Sequence, residues 1–152
     1  MGVKIGVLAL QGNVSEHIDA FEHALERMGQ ATGSSIFPVK KATEISGCGA
    51  LAIPGGESTT ISRLIEKNDL YDPIRNFSGG IFATCAGMVL TATRVDDRRI
   101  RPLGLIDITG DRNAFGRQKE SFEADLPIKG LDDGPFHAIF IRAPLIESVG
   151  DG

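Results

Sequence analysis

Cys85 sits in Ile81-Phe82-Ala83-Thr84-Cys85-Ala86-Gly87, where an apolar run gives way to small residues and then to Met88-Val89-Leu90. The order reads as strand, sharp turn and helix, with a thiol at the apex. A nucleophile so placed projects from the end of a sheet with the positive end of a helix dipole behind it, which favours thiolate over thiol. That arrangement suits attack on a carbonyl. The local pattern equally fits a small buried hydrophobe, because free cysteine is among the residue types most often found inside. A second loop tips the reading toward chemistry. Ile53-Pro54-Gly55-Gly56-Glu57-Ser58-Thr59-Thr60 also follows an apolar run, Ala50-Leu51-Ala52-Ile53, and also opens a helical pattern. Both loops then leave strand C-termini, where open α/β sheets form their ligand crevices. A phosphate in the diglycine loop would be repelled by Glu57, and the loop carries no lysine.

The elements that must hold these loops follow from hydrophobic period and turn residues. Val3 to Leu10 reads as a first buried strand. Gln11-Gly12 turns the chain, and Asn13 with Glu16 resembles a capping box opening a helix. Val14, Ile18, Phe21, Leu25 and Met28 recur at spacings of four and three, with Gly29 as the stop. Ser35 to Val39 reads as an edge strand, since Pro38 excludes a central position. After Ile53, the residues Ile61, Leu64 and Ile65 mark a second helix, and Asp72-Pro73 opens a short third with proline at its first position. Gly79-Gly80 precedes the strand that ends at Thr84. Successive β-to-α passages predict parallel strands with helical crossovers, an α/β fold built on a doubly wound, mostly parallel sheet flanked by helices. Further on, strands are expected at Leu103–Ile108, near Ser121–Ala124 and at His137–Ile141, separated by turns at Lys129-Gly130 and Asp133-Gly134-Pro135, as a C-terminal antiparallel extension.

Composition narrows the function classes. A chain of 152 residues, 41% hydrophobic and 24% charged, is of globular type and long enough for one core, so a single domain over 1–152 is expected. A net charge of -4 gives no electrostatic footprint for nucleic acid or an anionic membrane surface. No apolar run reaches the length of a membrane span, and the N-terminal run lacks the flanks of a signal peptide. Cys48 and Cys85 have no metal-ligand spacing, so neither a zinc site nor a disulfide framework is indicated, and the expected compartment is the cytoplasm. Several polar residues receive plain readings: His17 and His23 as surface residues of the first helix, Cys48 as structural, and the run Arg94, Asp96, Asp97, Arg98, Arg99, Arg101 as a solvated loop able to dock a partner.

Taken in order, Ile5-Gly6-Val7-Leu8-Ala9-Leu10-Gln11-Gly12, Pro54 to Thr60, Thr84-Cys85-Ala86-Gly87, Arg112-Asn113-Ala114-Phe115-Gly116-Arg117-Gln118, Ser121-Phe122-Glu123 and Phe140-Ile141-Arg142-Ala143-Pro144 resemble the glutaminase subunits of pyridoxal 5'-phosphate synthases, a family of triad glutamine amidotransferases. The resemblance implies hydrolysis of L-glutamine to glutamate and ammonia, with ammonia passed to a separate synthase subunit. Pyridoxal phosphate would be a product of that complex, and this chain would need no cofactor. By the same resemblance Cys85 is the nucleophile, the amides of Gly56 and Ala86 form the oxyanion hole, and Gly55, Gly56, Glu57, Arg112, Ile141 and Arg142 bind glutamine. Without the matching motifs, Arg112 and Arg142 would read as solvated or ion-paired arginines.

One departure bears on mechanism. The family takes its base from a His-Pro-Glu segment near its C-terminus, and the histidines here are His17, His23 and His137, none followed by Pro-Glu. His137 precedes an apolar strand and reads as structural. The expectation is therefore a domain lacking the family's C-terminal segment, its antiparallel extension shortened. A non-catalytic glutamine-binding or synthase-docking module is the competing reading. Ala83, where the family has glycine, keeps the small residue that the elbow needs.

Overall fold

A computed structural model describes residues 2–115, 121–131 and 133–151. The parallel strands are β1 (Lys4–Leu8), β2 (Ser35–Val39), β3 (Ala50–Ile53) and β4 (Gly80–Ala83), and they form a four-stranded sheet in the order β2-β1-β3-β4. Every pairing in this sheet is parallel. The crossovers carry α1 (Val14–Arg27), the short α2 (Ala42–Ile45), and α3 (Ser58–Lys67) with α4 (Tyr71–Arg75). The doubly wound arrangement is thus as expected, and Pro38 lies on the edge strand β2, where its missing N–H leaves no ladder bond unmade.

Apolar residues fill both faces of β3, as parallel strands covered by helices require. Leu51 and Ile53 are fully buried with Leu8 of β1, Ile61 and Ile65 of α3, and Val89 and Leu90 of α5 (Ala86–Thr91). Helix α5 follows β4 directly and lies so close to β3 that a methyl at Gly87 would overlap the carbonyl oxygen of Ile53. Gly87→Ala is therefore expected to lower stability by about 1–3 kcal/mol through forced separation of helix and strand. A lower urea midpoint at unchanged slope would show this; an unchanged midpoint would mean that the helix can withdraw freely.

The rest of the chain departs in detail from expectation. Strand β5 (Ala92–Val95) continues straight from α5, with no turn residue between them to announce it. The strand expected at Leu103–Ile108 is β6 (Ile106–Asp111), because Gly104 at φ 65 breaks the extended run. Leu103, Gly104 and Leu105 instead donate their amides to Leu90, Ala92 and Thr91. β5 and β6 are parallel, and β9 (Leu145–Val149), which the sequence reading missed, closes this sheet antiparallel to β6. β7 (Phe122–Leu126) and β8 (Phe136–Phe140) form the expected antiparallel pair. Pro73 is the third residue of α4 rather than its first, still within the turn where proline leaves no helical bond unmade. The capping box at α1 does not form: the Asn13 side chain caps nothing, while its main-chain N–H donates to Gly55 O at 3.0 Å.

Candidate active site

Cys85 is the N-cap of α5, and its backbone is held at φ 49, ψ -110, a conformation that side-chain-bearing residues rarely adopt. Strain of this kind persists only where the surroundings over-determine it. Here Thr84 N–H donates to Ile53 O at 3.2 Å, and Thr84 O accepts from Gly87 N–H at 2.8 Å. The result is an exposed thiol at the C-terminal end of β4.

The diglycine loop leaves the end of the neighbouring strand β3, as the shared sheet direction demands. Gly55 abuts the elbow: a side chain added there would begin 3.1 Å from Cys85 Cβ. Sulfur and loop therefore face one cleft of about 490 Å3, whose walls include Gly55, Gly56 and Glu57 on one side and Cys85 and Ala86 on the other. No described protein group accepts from the amide of Gly56 or of Ala86. Arg112, Ile141 and Arg142 complete the wall, so every residue singled out from the sequence lines the same cleft. Gly116, Arg117 and Gln118 of the Arg112 motif lie outside the described residues.

Charge in the cleft is organised around Arg112, whose side chain is only 11% exposed. Its Nη2 donates to Glu57 Oε1 at 2.7 Å and its Nη1 to Asp97 Oδ2 at 2.9 Å. Glu57 is the N-cap of α3, and its Oε1 also accepts from the hydroxyl of Thr59 at 3.0 Å. Oε2 of Glu57 has no described protein donor. Burial pushes the Glu57 carboxyl up, but the Thr59 hydrogen bonds and the positive charges of Arg112 and Arg142 outweigh it and hold the group below its ordinary range. The site thus presents, within one cleft, a thiol, two uncommitted amides, a guanidinium and a carboxylate. Among the described residues, no cluster of three or more His, Cys, Asp or Glu could hold a metal ion.

Two residues of this site were read otherwise from the sequence. Asp97, taken for part of a solvated loop, is 12% exposed and anchors Arg112 while pairing with Arg99 at 2.6 Å. His17, taken for a surface residue, is half-buried in the cleft wall, with Nε2 2.9 Å from Thr84 Oγ1 and Nδ1 2.6 Å from Asn13 O. The other plain readings stand. His23 is exposed. Cys48 is half-buried with its thiol pushed up by burial, so it is disfavoured as a thiolate. His137 lies on the β7–β8 hairpin between Asp125 at 2.7 Å and Glu123 at 3.1 Å, and is no part of the cleft wall.

The carboxylates make stability acid-sensitive in a defined direction. Hydrogen bonds from the Arg99 side chain and main chain, with that of Arg112, hold the Asp97 carboxyl well below its usual range against the opposing effect of burial. As pH falls past the ordinary carboxylate range, the unfolded chain takes up protons that folded Asp97 and Glu57 refuse, and stability is lost. The thermal midpoint is expected to hold down to about pH 5 and to fall below about pH 4. Asp97→Asn should flatten that lower limb; a limb parallel to the parent's would show that Asp97 is not the group responsible.

Against this geometry, a model of the SNO glutamine amidotransferase family matches residues 7–152. The pyridoxal 5'-phosphate synthase subunit PdxT of Methanoregula boonei is 63% identical over 150 residues, covering 99% of this chain and 77% of that protein. The subunit of the same name from Methanosphaerula palustris is also 63% identical over 150 residues, covering 99% of this chain and 76% of that one. A crystal structure described as a glutamine amidotransferase superposes with a TM-score of 0.77 at 42% identity, over 97% of this chain and 76% of its own.

Proposed function

The chain belongs to the SNO glutamine amidotransferase family, and on that footing we propose that it is the glutaminase subunit of a pyridoxal 5'-phosphate synthase, hydrolysing L-glutamine to L-glutamate and ammonia. The observation that carries the reading is the abutment of Gly55 on Cys85, so close that a side chain added at Gly55 would begin 3.1 Å from Cys85 Cβ, in a cleft that also holds the Glu57–Arg112 pair. A free amino acid has a carboxylate and an ammonium on one carbon. Arg112 and Arg142 suit the first, and Glu57, with Oε2 uncommitted, suits the second. Anchored there, the side-chain amide reaches toward Cys85, with Ile141 against its methylenes.

The reaction then proceeds by acyl transfer. The Cys85 thiolate adds to the amide carbon, and the oxygen takes up negative charge facing the amides of Gly56 and Ala86. Collapse of this intermediate breaks the C–N bond, and the nitrogen leaves with an added proton as ammonia. The glutamyl thioester remains on Cys85. Water adds to it, the thiolate departs, and glutamate is released. Proton transfers in both halves need a base; by resemblance that role belongs to the histidine of a His-Pro-Glu segment, a sequence not found among these 152 residues.

Ammonia is a poor product to release into water when a partner consumes it, and the names of the relatives point to such a partner, a separate synthase subunit. Pyridoxal phosphate is then made on the partner and is not a cofactor of this chain. Both cysteines are free thiols, which suits the reducing cytoplasm we assign as its compartment. Among the described residues, no helix is long and apolar enough to cross a membrane. The test is glutamine hydrolysis by the protein combined with the synthase subunit. Glutamate and ammonia are expected in equal amounts, and the analogue lacking the α-amino group should be turned over far more slowly. Equal turnover of that analogue would remove Glu57 from substrate binding, and no turnover of glutamine by the assembled protein would overturn the reading.

A further inference from the structure

His17 is the one histidine that the fold brings to the cleft among the described residues, and the reaction outlined above gives it no task. It belongs to the first turns of α1, 67 residues from its partner Thr84. Its Nδ1 faces the carbonyl oxygen of Asn13, which can only accept, so Nδ1 carries the proton. In the neutral ring Nε2 then accepts from the Thr84 hydroxyl. The ring also lies tilted against Phe82, at 6.5 Å between centroids, and Phe21 one helical turn on meets Phe82 edge-on at 5.7 Å. With both nitrogens engaged, the imidazole is placed to hold rather than to shuttle protons.

What it holds is the relation between the two loops. Asn13, whose carbonyl oxygen receives the ring, donates its own N–H to Gly55 O. Thr84, at the other end of the bridge, immediately precedes the strained Cys85. The chain of contacts Gly55–Asn13–His17–Thr84 therefore runs along the cleft wall from the diglycine loop to the elbow, independently of the sheet that carries both. Gly55 and Thr84 lie in the loops that follow the neighbouring strands β3 and β4, and without a brace these loops could still shift relative to one another by the fraction of an ångström that acyl transfer does not tolerate.

We propose that His17 is a positioning residue for Cys85: by bridging the carbonyl of Asn13 and the hydroxyl of Thr84 it fixes the diglycine loop and the cysteine elbow at one separation. The inference rests on the glutaminase reading for its kinetic consequence, but not for its geometric one.

The test is a double-mutant cycle with two readouts, glutamine turnover by the protein assembled with its synthase subunit and alkylation of Cys85 by iodoacetamide, followed by peptide mass. His17→Phe keeps ring and packing and removes both hydrogen bonds; Thr84→Val removes the hydroxyl at constant shape. Each is expected to lower kcat about tenfold with KM for glutamine changed less than about twofold, and the double variant to be no slower than the worse single one. His17→Gln, whose amide oxygen can still accept from Thr84, should return to within about threefold of the parent. Alkylation of Cys85 should change with the same non-additive pattern, while that of Cys48 in the same chain stays constant and excludes general loosening. Additive effects in both readouts overturn the bridge. A Gln variant as slow as the Phe variant also overturns it, because it would make His17 a proton carrier. If the glutaminase reading were itself wrong, the assembled parent protein would not hydrolyse glutamine, while the alkylation cycle would still report on the bridge.

Discussion

Replacing Cys85 by alanine is expected to lower glutamine hydrolysis by at least about a thousandfold in the protein assembled with its synthase subunit, with binding of glutamine and of the partner retained. The loss is large because Cys85 is the one thiol that lines the cleft among the described residues. Cys48, the second free thiol, is half-buried and bonds its thiol to Glu44 O at 3.3 Å. The fold should tolerate the change. The thiol is exposed, so no core contact is lost, and alanine at φ 49 is no more strained than cysteine. Measured turnover within about tenfold of the parent would take Cys85 out of the mechanism.

Arg112→Ala is expected to have the second-largest effect, and it should strike binding and stability together. Removing the guanidinium leaves the carboxylates of Glu57 and Asp97 facing one another without their shared cation. Breaking a buried pair in this way costs about 3–5 kcal/mol in general. Glu57 is 39% exposed and Asp97 keeps Arg99, so about 2–3 kcal/mol is the expected loss here. KM for glutamine should rise about a hundredfold, because on the proposed reading the substrate carboxylate loses one of its two cations. Arg112→Lys keeps the charge but not the fork, and cannot serve both carboxylates at 2.7 and 2.9 Å from separate nitrogens. It should recover stability before it recovers affinity. An Arg112→Ala protein with unchanged KM would show that the substrate carboxylate is held elsewhere, with Arg142 the first candidate.

The parts of the site that could be read from the sequence are those whose chemistry is local. An apolar run, a small-residue turn and a helical pattern are contiguous at Cys85 and again at Gly55-Gly56, and parallel pairing of their strands brings the two together. Arg112 and Glu57, 55 residues apart, were connected only through resemblance, since nothing local distinguishes a site arginine from a solvated one. Asp97 and His17 were misread for the same reason. A mixed-sign run looks solvated until one knows that Arg112 lies across from it. His17 stands one residue before Ile18 of the apolar stripe, a position that already borders the helix face packed on the sheet, and that was the signal available. β5 and β9 escaped because the first has no turn before it and the second is exposed along its whole length, so neither carries the punctuation or the buried face that marks a strand.

The proposed mechanism requires a covalent bond between the substrate carbonyl carbon and the sulfur at the elbow. Acid quenching of the assembled protein during turnover, followed by mass analysis of its peptides, measures that bond directly. The expected result is a glutamyl adduct on the peptide carrying Cys85, labile to hydroxylamine as a thioester must be. Steady turnover with that peptide unmodified, or with the adduct on Cys48, would contradict the mechanism.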